Sequence, residues 1–293
     1  MVLLIATPQE SRTRSPRSLN PVLPFTHYTH DVWQRADGLP QNSVVAMAQT
    51  RDGYLWLATQ DGLVRFDGVR FTVFNIRNTP ALGSNDIQAL LLDRQDRLWI
   101  GTTAGGLVMM HQGTFSAYPT GQGVAGDVVS ALHEDAAGSL WIGTTGGVVS
   151  RLSDGVFQHY TASDGLPSGG ITALRHDGEG AIWIATHSGL GRLADGRFTT
   201  YTAAAGGLPS NDVRGVHAAR DGTLWIATAA GVVSLREGTF KTYTTRDGLS
   251  GNFARTVFED RAGTLWIGTI DGGVKNSPLS CAPCMANFIR KYS

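Results

Sequence analysis

The chain has 293 residues with 24 basic against 24 acidic side chains, enough for one large domain or two small ones with a sizeable core. The charges balance without a Lys/Arg stripe, which excludes nucleic acid as an expected partner, and no run approaches the roughly 18 apolar residues of a membrane helix. Only 16% of residues are charged and 37 are glycine, a composition that suits short strands and tight turns rather than surface helices.

Residues 1–24 hold four prolines and several Ser and Arg, and read as a flexible leader. The apolar run Met1 to Ala6 has no basic start, so it does not make a signal peptide. Tyr28 to Trp33 follows as an outermost strand whose own blade lies elsewhere. Its Trp33 precedes Asp37-Gly38 by four residues, as Tyr160 precedes Asp164-Gly165 and Tyr243 precedes Asp247-Gly248.

A repeat then occupies most of the chain. Leu-Trp-Ile-Gly-Thr, or a close variant, places tryptophans at Trp56, Trp99, Trp141, Trp183, Trp225 and Trp266, with gaps of 43, 42, 42, 42 and 41 residues. A threonine follows each three residues on (Thr59 to Thr269), and a glycine six residues on (Gly62 to Gly272). The third unit parses into four strands: Val128 to His133, Leu140 to Thr144, Val148 to Leu152 and Val156 to Thr161. Between them stand turns such as Gly146-Gly147 and Asp154-Gly155 that need positive φ. Four antiparallel strands per unit of this length make a propeller blade.

The fold class is therefore all-β, a β-propeller of about six four-stranded blades. An aromatic pair, Phe157 with Tyr160 in the third unit, recurs on each outer strand; one ring is expected between blades and the other over the rim. The last unit loses its pattern after Val274. The Tyr28–Trp33 strand is thus expected to complete the sixth blade and close the ring. The alternative is a larger, seven-bladed ring cut short after Gly273. Domain boundaries fall at 1–24 (leader), 25–274 (propeller) and 275–293 (irregular tail). Cys281 and Cys284 in the tail form half a zinc site with no second pair, so no metal and no cofactor are expected.

The motifs Asp-Gly-Leu-Pro-x-Asn at 37–42, Leu-Trp-Ile-Gly-Thr, and Gly-Gly-Leu followed by Phe-x-x-Tyr resemble the two-component regulator propeller repeat, over residues 28 to 274. That family forms the periplasmic sensor region of bacterial hybrid histidine kinases and of some diguanylate cyclases. Its propellers are typically seven-bladed and often paired, and precede a β-sandwich, a membrane helix and the signalling domain. This sequence departs in showing six repeats and none of those later parts. The resemblance implies a periplasmic, non-catalytic module, or a fragment of one, that senses a small molecule or oligosaccharide, with the downstream signalling domains absent from this chain.

On a propeller the loop joining strands two and three shares a face with the loop between blades. Positions four and five after each Trp vary most, and the candidate ligand-binding residues come from them: Gln60, Asp61, Thr103, Thr145, His187, Ser188 and Asp271. Asn42, Asn85, Asn211 and Asn252 share that face, where local capping of the turns explains them. His133, His176 and His217 sit near the end of the innermost strands and are candidates to line the lower channel. No catalytic residue is assigned, because no G-x-S-x-G elbow, P-loop or H-E-x-x-H is present. A streptogramin-lyase-like enzyme is the alternative, needing a histidine base beside a charged partner; His187 is the histidine on the favoured loops. A protein-interaction scaffold is the third reading.

Overall fold

The computed structural model describes residues 2–4, 30–119, 123–126, 128–260, 262–270 and 272–278. Two short strands, β1 (Val2–Leu4) and β2 (His30–Val32), pair antiparallel. Blade 1 is β3 (Ala46–Gln49), β4 (Leu55–Thr59), β5 (Gly62–Phe66) and β6 (Phe71–Phe74). Blade 2 is β7 (Ile87–Leu92), β8 (Leu98–Thr102), β9 (Leu107–His111) and β10 (Thr114–Tyr118). Blade 3 is β11 (Val129–Glu134), β12 (Leu140–Thr144), β13 (Val149–Ser153) and β14 (Val156–Tyr160). Blade 4 is β15 (Ile171–His176), β16 (Ile182–Thr186), β17 (Gly189–Ala194) and β18 (Arg197–Tyr201). Blade 5 is β19 (Val213–Ala218), β20 (Leu224–Thr228), β21 (Gly231–Arg236) and β22 (Thr239–Tyr243). Blade 6 is β23 (Ala254–Glu259), β24 (Thr264–Thr269) and β25 (Gly273–Pro278). Each is an antiparallel meander, so the fold is all-β and propeller-like, with five four-stranded blades and a sixth that has three strands among the described residues.

The conserved punctuation within the repeats has a direct geometric cause. In blades 1 to 5 the repeat threonine turns its hydroxyl onto the carbonyl that closes the turn between strands two and three, as in Thr228 Oγ1 to Gly231 O at 2.8 Å. Gly231 there adopts φ +135°, and a Cβ would lie 2.5 Å from Tyr243 O. No other residue fits that approach of strand three to strand four.

The tryptophans of blades 1 to 5 are 2–5% exposed and face the following blade; Trp141, for example, packs with Leu166, Ile171 and Ile184 of blade 4. Burying each ring stabilises by roughly 4–6 kcal/mol on area grounds. Each then meets the outer aromatic of its own blade, which meets the phenylalanine of the next. Trp183 to Tyr201 is 5.6 Å and Tyr201 to Phe240 is 5.7 Å between centroids. Both members of the outer pair thus pack between blades on opposite faces. The expected rim cover is not formed, because the phenylalanine turns back onto the preceding blade's tyrosine.

An aspartate six residues before the tryptophan locks the ring from below. Asp93, Asp135, Asp177 and Asp260 each accept the indole Nε1–H at 2.8 Å. The other carboxylate oxygen of Asp135 accepts the N–H groups of Ala137 and Ser139, tying the turn between strands one and two. Blade 5 carries Ala219 at this place, and Trp225 Nε1 is buried without an acceptor. Ala219→Asp should therefore stabilise the fold by about 1 kcal/mol. Urea melts of the two proteins measure this directly, and a loss of stability would show that the blade-5 turn cannot take the carboxylate.

The ring does not close as the sequence suggests. β2 pairs with β1 and not with β25. Trp33 instead lies edge-on against Phe66 at 5.2 Å and packs over Leu39, Leu57 and Val64 of blade 1. It fills the place that each outer tyrosine holds against the next blade, so β2 stands ahead of blade 1, and blade 6 has no fourth strand among the described residues. The inner strands of consecutive blades pack side by side from β3 through β23, while among the described residues β3 and β23 pack far less closely than any consecutive pair. Met47 and Phe258, at the two ends of this arc, are 54% and 53% exposed. Two boundaries also differ: Val2–Leu4 is strand, and β25 runs past Val274 to Pro278. Cys281 and Cys284 lie outside the described residues.

Candidate functional site

The inner strands surround a central channel of about 1100 Å³. What faces it is set by a β-bulge. In blades 2 to 6 the pairing of strands one and two slips by one residue near the start of the inner strand, as between Val129 and Ala131. The extra residue is freed from the ladder and re-aimed. These residues are Gln88, Ser130, Thr172, Arg214 and Arg255, and all five line the channel, with Val45 at the matching place in blade 1. Each stands eleven residues before its tryptophan. A constant offset with changing chemistry was visible in the sequence, in front of the tryptophan rather than behind it. Ser130 and Thr172 use their hydroxyls to bridge blades, onto Ile171 O at 2.6 Å and Val213 O at 2.7 Å.

The loops after the tryptophans do share a face with the interblade loops. Gln60 bonds Gln41 at 2.9 Å, and Thr103 bonds Ser84 at 3.0 Å, each nineteen residues away across that face. Of the residues singled out on these loops, Thr145 and His187 line the channel. Gln60, Asp61, Thr103 and Ser188 are not among the lining residues, and Asp271 lies outside the described residues. The asparagines are spent locally: Asn42, Asn85, Asn211 and Asn252 each accept a backbone N–H seven to nine residues earlier through the side-chain carbonyl.

His187 forms the most organised polar cluster at this mouth. Its Nδ1 lies 2.8 Å from Asp212 Oδ1, and Asp212 Oδ2 receives Arg214 at 2.7 Å. Partial burial disfavours the Asp212 charge, but hydrogen bonds from Arg214 and His187 outweigh it and hold the carboxyl below the usual carboxylate range. Asp212 is thus an acceptor at neutral pH, and His187 Nδ1 donates to it. Arg214 also stacks over Phe253, 5.2 Å from the ring centre. Asp212 was not among the residues read from the sequence, since it belongs to the next interblade loop.

The inner-strand histidines do not line the channel. His133 is 5% exposed, and its Nε2 accepts the backbone N–H of His176 at 3.0 Å with His176 Nδ1 at 2.7 Å. His217 Nε2 accepts the N–H of Glu259 at 3.2 Å. They sew blade 3 to blade 4 and blade 5 to blade 6, because in these two blades the side chain opposite the tryptophan points at the following blade. Among the described residues no three His, Cys, Asp or Glu side chains gather to hold a metal.

The sequence pattern of the two component regulator propeller family matches residues 38–61, 81–104, 123–146, 165–188, 207–230 and 248–271, once per blade. The chain belongs to this family. A histidine kinase, P4, of Formosa agariphila is 48% identical over 44 residues, which is 15% of this chain and 3% of that protein. The extracellular domain of a hybrid two component system from B. thetaiotaomicron is similar at TM-score 0.66 and 24% identity, covering 84% of this chain and 41% of that one. Virginiamycin B lyase from Staphylococcus aureus is similar at TM-score 0.60 and 14% identity, covering 80% and 84%. At these identities the two structures share the fold. The family member spans less than half the length of the receptor domain it resembles. Among the described residues no helix is long and apolar enough to cross a membrane.

Proposed function

We propose that this chain is a ligand-sensing propeller module of a bacterial two-component or cyclic-nucleotide receptor, non-catalytic by itself and acting on the outer side of the cytoplasmic membrane, in the periplasm. The family and the extracellular relative support signalling. The observation that carries ligand binding is the convergence of bulge residues and the His187–Asp212–Arg214 cluster on one open channel. A fixed scaffold presents a different side chain from each blade at one level, as a recognition surface requires. A small molecule or oligosaccharide is the ligand of this propeller.

A thermal-shift screen of sugars and small metabolites tests this. A true ligand raises the melting temperature of the native protein, and the rise shrinks at least tenfold in apparent affinity in His187→Ala. A screen in which nothing stabilises the protein counts against sensing. The same cluster favours a second reading, a lyase in which His187 acts as base with Asp212 orienting it. Ring opening of a macrolactone that disappears in His187→Ala supports that reading, and no turnover by the native protein ends it.

A further inference from the structure

Three arginines line the channel, on consecutive blades: Arg175 on β15, Arg214 on β19 and Arg255 on β23. No Asp or Glu is among the lining residues. Arg214 is neutralised by Asp212 at 2.7 Å. Arg175 and Arg255 have no ion pair among the described residues, and Arg175 Nε is buried with no acceptor at all. A buried guanidinium is normally paired, because leaving it unpaired is costly. The facing wall, from blades 1 and 2, is apolar apart from Gln88, with Val44, Val45, Met47 and Leu90. One side of the channel is thus cationic at two depths. Arg214 and Arg255 stand at the bulge level, and Arg175 lies on its own strand three residues further from the upper mouth, roughly 10 Å along it.

We propose that the channel takes a small ligand bearing at least two oxyanion groups, carboxylate or phosphate, one held by Arg175 and another by Arg255. The planar guanidinium offers two parallel N–H donors to either group. The apolar wall takes the ligand's carbon skeleton. This rests on the sensing reading and names the ligand class for the same channel.

Isothermal titration of the full chain with citrate, with inorganic pyrophosphate and with maltotriose tests it. Citrate or pyrophosphate should bind one to one, and whichever binds more tightly identifies the oxyanion. Arg175→Met should weaken that binding at least tenfold while its urea midpoint stays equal or rises, since an unpaired buried cation has been removed. Arg255→Met, at an exposed position, provides a second variant whose fold is not at risk and should also weaken binding. The proposal is overturned if neither anion binds, or if both variants bind as tightly as the native protein. Maltotriose binding without either anion overturns it too, while leaving the sensing reading standing.

Discussion

Asp135→Ala should lower the stability of the protein by about 3 kcal/mol, the largest loss expected from any single polar substitution here. The carboxylate accepts the Trp141 indole N–H at 2.8 Å and the backbone N–H groups of Ala137 and Ser139 at 3.0 and 2.9 Å. Removing it strands three donors, in a residue only 9% exposed. For a domain of this size that corresponds to a fall in melting temperature of roughly 6–12 °C. Asp135→Asn should lose nearly as much, since its amide must set an N–H against either the indole or the turn. Calorimetry decides the point; a loss under about 1 kcal/mol would mean that water replaces the carboxylate at no cost. Asp135 itself is held below the ordinary carboxylate range, as burial is outweighed by the bonds from Trp141, Ser139 and Ala137 and by the charge of Arg151.

The second large effect is an early loss of stability in mild acid. Burial, reinforced by the charge of Arg175, lowers His133 to about 3 and His217 to about 4. His176, Asp135 and Arg94 also face His133, with Asp135 opposing the shift, and Glu259 and Arg220 face His217, with Glu259 opposing it. In the unfolded chain both titrate near 6.5. The folded state therefore binds fewer protons between these values. Its stability is complete above about pH 6.5 and is lost as pH falls, with a slope approaching ~3 kcal/mol per pH unit for the pair. Urea unfolding at pH 7, 6 and 5 measures the slope. The double variant His133→Gln, His217→Gln keeps an acceptor for the backbone N–H groups and cannot titrate, so its stability should be nearly flat over this range. An equally steep fall in that variant would assign the acid sensitivity elsewhere.

The legibility of this molecule in its sequence follows from how local each contact is. Blades were readable because the tryptophan ladder and its Asp-Gly and Gly-Gly turns lie within one repeat. The aspartate six residues before the tryptophan was equally available as a constant offset, at Asp93, Asp135, Asp177 and Asp260. The bulge column eleven residues before the tryptophan was harder to see. Its chemistry changes from Val45 to Arg255, and only the slip in strand pairing turns it to the channel. His187 was read as a site residue without Asp212, because 25 residues and a blade boundary separate them. Trp33 shows the limit most plainly. Its spacing to Asp37-Gly38 identified an outer strand, but spacing cannot say which neighbouring blade the strand will join.

The hydroxyl bridges from Ser130 to Ile171 and from Thr172 to Val213 each span 41 residues, and the aromatic contacts between blades have similar reach. With β3 and β23 packed far less closely than any consecutive pair of inner strands, tension applied to the two ends would be poorly shared around the ring. In an optical trap the protein should give way one blade after another. Each rupture should release a single repeat of about 42 residues, or roughly 14 nm of chain.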